Sequence, residues 1–279
     1  MYEFFFLWVL SFVFIILAVI QDLKTREIDN WLSFSLIIFA IGFRFFFSLF
    51  QGDFEFFFCG LIGFGISFIL GNVFYYTKIF AGGDAKLMIS LGVILAPAKF
   101  SSISSNFFDF ILIFLLIGFS YTIITSIFLC IKNFKNFKKE FSTSLKKNKK
   151  KMCLVILLSL ILSSLGFFEI TFFFLGILTF LTSYLYLYSK AVDESCMVRK
   201  ISSKNLREGD WLYSNVHIGK NVIKAKWDGV TKKEIKEISK RFNHVRIREG
   251  IPFSPVFLIS FIIFVILQIL KIKLWESFW

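Results

Sequence analysis

Long apolar runs separated by short polar breaks set the pattern of this chain. Phe4 to Ile20 is the first run, and the polar stretch 21–30 ends it. Trp31 to Phe50 is the second, interrupted by Arg44 and followed by the short acidic loop 51–55. Phe56 to Thr77 is the third. Each approaches the ~20 apolar residues that cross hydrocarbon as a helix, where every backbone group must be satisfied internally. Loop 78–84 leads into a short run, Ala85 to Leu95, which Pro97 ends. Asn106 to Ile131 is a fifth span. Met152 to Tyr188 is too long for one span, and its break at Gly166 to Glu169 predicts helices over 152–165 and 169–188, the first short or re-entrant. Ile251 to Leu270 is the last span, opened by Pro252 and Pro255, which a helix start tolerates. No convincing small-residue cleavage site follows the first run, so it reads as a retained helix.

Two stretches break this pattern. Lys132 to Lys151 holds nine lysines against the single acid Glu140. Ser189 to Gly250 is polar, with 15 Lys and Arg against 8 Asp and Glu. It alternates at Val216-His217-Ile218 and at Val222-Ile223-Lys224-Ala225, as short strands do. Asp228 to Phe242 predicts a capped amphipathic helix: Thr231 caps, Glu234 sits three residues on, and Ile235 and Ile238 share a face. The expected fold is an α-helical polytopic membrane protein of about six to eight transmembrane helices with a small cytoplasmic α+β module before the last helix. Its parts are catalytic membrane helices over 1–131, a basic cytoplasmic linker over 132–151, and one or two further spans over 152–188. The cytoplasmic domain follows over 189–250 and the last helix over 251–270.

Composition supports this. With 57% hydrophobic residues, no soluble domain of 279 residues could bury so much apolar surface. The 42 Phe read as lipid-facing, and no site is drawn from them. The glycines Gly60, Gly63, Gly65 and Gly71 of the third run read as close helix packing, and Arg44 as a side chain that snorkels to an interface. A net charge of +13 would suggest nucleic acid in a soluble protein. Here the excess lies beside apolar runs, so the positive-inside bias and attraction to anionic lipid account for it, and no nucleic-acid partner is expected. Cys59, Cys130, Cys153 and Cys196 form no CxxC pair, so neither a metal nor a disulfide is expected.

Charge also orients the chain. With 132–151 in the cytoplasm, counting back through the spans places loops 21–30 and 78–86 on that same side. Loops 51–55 and 97–105, with Lys99 as their one lysine, fall outside. Asp22 and Asp84 then share a face.

Carboxylates at membrane helix ends are costly unless they meet water, protein or a partner. Taken alone, Asp22 reads as a solvated helix-end acid paired with Lys24 or Arg26. Asp84 reads as the cap of a helix beginning at Ala85. Capping does not require Gly82 and Gly83 before it, whereas close backbone approach does. Two adjacent acids cannot both ionise easily, so near neutral pH such a pair shares a proton. The ionised member activates a water that attacks a peptide carbonyl, and the protonated member donates to the carbonyl oxygen. No metal, cofactor or covalent intermediate is needed. Lys86 would lie beside the pair, or contact a lipid phosphate.

These residues resemble the GxGD membrane aspartic peptidases, and within them the archaeal preflagellin and type IV prepilin peptidases. Asp22-Leu-Lys24-Thr-Arg26-Glu-Ile28-Asp-Asn30 is similar to the first-aspartate segment after helix one. Gly82-Gly83-Asp84-Ala85-Lys86 is similar to the GxGDxK segment, with Ala81 where the motif has its first glycine. Arg246 to Pro255 is similar to the end of the archaeal soluble module. The resemblance covers roughly 1–131 and 189–270, and it lacks the cysteine-rich insert of the bacterial enzymes, so their N-methyltransferase activity is not implied. It implies that Asp22 and Asp84 are catalytic, with Gly82, Gly83, Lys86, Lys24, Arg26 and Asn30 in support. The implied substrate is a type IV pilin-like or archaellin precursor, cut at the cytoplasmic membrane face between its short basic leader and its apolar helix. Glu27 and Asp29 would attract the leader's positive charge. Two other classes compete. A proton- or cation-coupled transporter would bury acids in mid-span, and a non-catalytic scaffold would depend on neither aspartate.

Overall fold

A computed structural model of the chain describes residues 2–218, 221–227 and 229–274. Its helices are α1 Tyr2–Thr25, α2 Asn30–Gln51, α3 Glu55–Tyr76, α4 Gly82–Leu95, α5 Ile103–Lys132, α6 Phe134–Lys147, α7 Lys149–Leu165, α8 Ile170–Cys196, α9 Lys232–Arg241 and α10 Ser254–Ile269. Among the described residues five helical stretches are long and apolar enough to cross a membrane: Glu3–Thr25, Asn30–Gln51, Glu55–Tyr76, Phe100–Lys132 and Ile170–Cys196. The protein is therefore a polytopic helical membrane protein carrying a small strand-containing module. The chain divides into two compact units, Met1–Thr122 with Pro252–Trp279, and Ile123–Ile251.

The first unit is built around its shortest α-helix. α4 has 14 residues, of which ten are buried, Asp84 among them. At 1.5 Å per residue it rises about 21 Å, short of the ~30 Å hydrocarbon core. It packs most closely on α3, and small residues make that possible. A Cβ on Gly63 would strike the Gly92 carbonyl, and one on Gly71 would sit 2.7 Å from Ile89 Cγ1. Without a hydrophobic force between helices in lipid, such backbone proximity supplies the contact.

The far end of α4 is held by Arg44. The sequence suggests snorkelling to an interface, but Arg44 is fully buried. Its guanidinium donates to the Phe56 carbonyl at 2.6 Å and to the Ala96 carbonyl, and lies 4.1 Å from the centre of the Phe56 ring. Ala96 is the C-cap of α4, so the arginine satisfies a carbonyl that the helix leaves open and meets the negative end of its dipole. Inward acceptors outcompete the interface because Gly60 leaves room for the arginine stem.

Phenylalanine also does more than face lipid. Phe80 is buried against Phe74, Phe114, Phe253 and Phe257, with ring centres 4.8–5.9 Å apart. Such edge and tilted contacts add to plain burial and fix the loop between α3 and α4.

In the second unit, the stretch read as a basic linker is helical as α6. Phe134, Phe137, Phe141 and Leu145 fall on one stripe of it, and Phe137 meets Tyr188 of α8 at 5.6 Å between ring centres. Residues 166–169 separate α7 from α8, and α8 continues past Tyr188 to Cys196. The strands follow as β1 Val198–Ser202, β2 Trp211–Leu212, β3 Val216–Ile218, β4 Asn221–Ile223 and β5 His244–Arg248. β5 lies between β1 and β2, antiparallel to both, and β3 pairs with β4 in a hairpin. Leu206, Leu212, Ile218, Ile223, Val230, Ile238, Val245 and Ile247 form the core of this module. α9 starts at Lys232 behind a complete capping box. The Glu234 carboxylate accepts from Thr231 N–H at 2.8 Å, and Glu234 N–H donates to Thr231 Oγ1 at 3.4 Å. Asp228, where the sequence begins this helix, lies outside the described residues.

Candidate active site

Asp22 is not in a loop. Polar residues 21–25 continue α1, since Gln, Leu and Lys are good helix formers, and the helix stops where Arg26 turns left-handed at φ 60°. Asp22 therefore sits in the last turn, with only 8% of its surface exposed. Gln21 folds the following loop back. Its amide donates to Asp29 Oδ2 at 2.9 Å and its carbonyl oxygen accepts from Asp29 N–H at 3.1 Å. Asp29 is thus engaged as the loop's own anchor.

Asp84 comes from the opposite direction. α4 begins at Gly82 with Ala81 as its N-cap, so Asp84 is the third helical residue and not the cap expected from the sequence. Its carboxyl group hydrogen-bonds the Ala81 backbone, which is one half of a capping box. Asp84 is 9% exposed, and its carboxyl lies close enough to that of Asp22 for the two charges to interact.

The glycines serve proximity. Neither Gly82 nor Gly83 has a positive φ. A Cβ on Gly83, however, would sit 3.1 Å from Ile28 Cβ. A bare backbone at that point lets loop 26–29 lie against the first turn of α4. Ala81 has φ −69° and ψ 162°, ordinary for alanine, so this position needs no glycine here. Lys86 Nζ donates to Asn30 Oδ1 at 2.5 Å, tying α4 to the start of α2.

The structure thus gathers Asp22, Asp84, Gly83, Lys86 and Asn30, with Gly82 starting the helix. Lys24 and Arg26 are on the exposed side of the α1 terminus. Sequence reasoning read the start of α10 as a proline-opened helix and as part of the resemblance, but not as part of the site. Ser254 N–H donates to Asp22 Oδ2 at 3.2 Å, across 232 positions of sequence. Tyr121 Oη donates to the Pro252 carbonyl at 3.0 Å, and the Phe253 ring lies 5.9 Å from that of Phe80. The available signal was the Pro252-Phe253-Ser254-Pro255 run opening an apolar helix.

The two carboxyl groups are buried, their charges interact, and each is bonded to backbone, Asp84 to Ala81 and Asp22 to Ser254. Such a pair can act as general base and general acid on one substrate.

Comparison with known proteins points the same way. Residues 8–130 match the model of the type IV leader peptidase family. The preflagellin peptidase of Methanococcus maripaludis is 34% identical over 80 residues, which is 29% of this chain and 34% of that protein. The preflagellin peptidase of Methanocaldococcus jannaschii is 31% identical over 81 residues, again 29% of this chain and 34% of the relative. That of Methanococcus voltae is 29% identical over 91 residues, 33% of this chain and 39% of the relative. The chain thus spans little more than a third of the length of the curated relatives it matches. No solved structure matches it. The segment that carries both buried aspartates is thus similar to the type IV leader peptidase family over residues 8–130.

Proposed function

We propose that this protein is a membrane aspartic endopeptidase that removes the short basic leader of type IV pilin-like or archaellin precursors at the cytoplasmic face of the cell membrane. Asp22 and Asp84 are the dyad. The observation that carries this reading is that both are buried and within electrostatic reach of each other, one at the end of α1 and one at the start of α4. The relatives' activity on preflagellin supplies the substrate class, and the lysine asymmetry of the loops supports the cytoplasmic side.

In the reaction, the ionised aspartate takes a proton from water as its oxygen bonds to the scissile carbonyl carbon. The protonated aspartate gives its proton to the carbonyl oxygen, forming a neutral tetrahedral diol. Collapse of the diol breaks the C–N bond, the leaving nitrogen takes up a proton, and the dyad returns to its singly protonated state. The pair titrates as a unit, so neither residue owns the proton.

The test is cleavage of a precursor with a basic leader ahead of an apolar helix of about 20 residues. Asp22→Asn and Asp84→Asn should each insert normally and lose cleavage by at least about a thousandfold, the scale of lost acid–base catalysis. Cleavage at the wild-type rate by either variant sinks the dyad.

A further inference from the structure

We infer that Ser254, the first residue of α10, is a third polar member of the site and holds the attacking water against the two aspartates. The inference rests on the proposed dyad and adds to it a residue from the far end of the chain.

Three observations carry it. First, Ser254 is joined to Asp22 by its own backbone: its N–H donates to Asp22 Oδ2 at 3.2 Å. Second, its side chain is fully buried, and Ser254 Oγ has no hydrogen-bond partner among the described residues. Ser33, Ser48, Ser67 and Ser260 are likewise buried without a partner, but Ser254 alone among them makes a hydrogen bond to an aspartate of the pair. A buried hydroxyl left unpaired is costly, and such groups recur where a ligand or reactant completes the bonding. Third, the segment is braced on both sides of the serine. Tyr121 holds the Pro252 carbonyl, and Phe253 packs on Phe80, four residues before Asp84. The α10 start therefore touches both aspartate-bearing segments.

A buried water needs two to four polar partners. Asp22, Asp84 and Ser254 Oγ supply three. The ionised aspartate of the pair draws one proton of the water, Ser254 Oγ donates to the water oxygen and fixes the direction of its lone pair, and the hydroxyl is returned unchanged when the water is consumed. Ser254 is a positioning residue: it acts on the orientation of the water and carries no proton of the reaction.

Ser254→Ala keeps the N–H on Asp22 and removes only the hydroxyl. With the precursor described above it should lower kcat about tenfold to a hundredfold, leave KM within about twofold, and leave the thermal midpoint of the purified protein unchanged. Ser254→Thr, which restores a hydroxyl, should regain most of the lost kcat. Wild-type kcat for Ser254→Ala, alongside dead Asp→Asn variants, overturns the inference and leaves the dyad standing. A loss in Ser254→Ala that comes with a lower thermal midpoint and is not recovered by threonine also overturns it, because the serine then serves packing alone. Full activity in an Asp→Asn variant would instead remove the dyad itself.

Discussion

Lys86 Nζ and Asn30 Oδ1 are 2.5 Å apart, so the second motif segment is bonded directly to the end of the first. The bond links α4, two residues past Asp84, to the first residue of α2, at the end of loop 26–29. Lys86→Met and Asn30→Leu should each slow precursor cleavage roughly threefold to tenfold, and the double variant should be no slower than the worse single one. Steady-state rates of the three variants check this. If Lys86→Met alone has an effect, the lysine acts elsewhere, on lipid phosphate or on the carboxylates.

Gly83 answers to space. Adding one carbon brings it 3.1 Å from Ile28 Cβ, tight enough that the loop must give. Gly83→Ala should cost about tenfold and Gly83→Val about a hundredfold, the penalty of misplacing a catalytic group by about 1 Å. Ile28→Ala placed in the Gly83→Val background should recover part of the rate. A fully active Gly83→Val variant would show that the loop contact is dispensable.

Ala81 makes the opposite case within the same motif. Its backbone is already extended, so Ala81→Gly gains no new conformation and makes the unfolded chain more flexible. It should lower stability by about 0.4–1 kcal/mol and should not raise cleavage. Thermal unfolding and rate measurements on this one variant decide the matter. A large gain in activity would mean that the motif's first glycine is missed here.

Arg44 should matter for stability. Arg44→Met fills similar space but leaves the Phe56 and Ala96 carbonyls without their donor. A loss of about 2–4 kcal/mol follows, seen as a thermal midpoint roughly 5–15 °C lower. Unchanged melting would show that water already serves those carbonyls.

In the strand-containing module, the Thr231 backbone N–H holds the Glu234 carboxyl below its ordinary value of 4.5. A group whose folded value is depressed stabilises fully above its unfolded value and loses that contribution as pH falls through the folded one. Protection of the α9 amides against hydrogen exchange should therefore hold down to about pH 5 and weaken below 4.5. Glu234→Gln should flatten this dependence.

The two aspartates were legible because acids at span ends are conspicuous against so apolar a chain. The pattern of helices was legible for the same reason, down to the short fourth helix ended by Pro97. What bonds Asp22 was not: the Ser254 N–H is 232 positions away, and one backbone donor leaves no trace in composition. Phe80 was hidden by its own kind, one ring among 42. Arg44 was misjudged because sequence gives the cost of a charge in a span but not the carbonyls that meet it. α6 was masked by lysine density, though its Phe134, Phe137, Phe141 spacing carried a helical period.

The brevity of α4 has a consequence for solvent. A helix rising about 21 Å falls roughly 9 Å short of a ~30 Å hydrocarbon core, and dimpling of the lipid sheet is one way in which a bilayer meets so short a helix. Hydrolysis consumes a molecule that hydrocarbon excludes, and a dimple brings the aqueous phase down to the place of use. Turnover should then fall as the surrounding acyl chains lengthen, because a thicker sheet resists being drawn in.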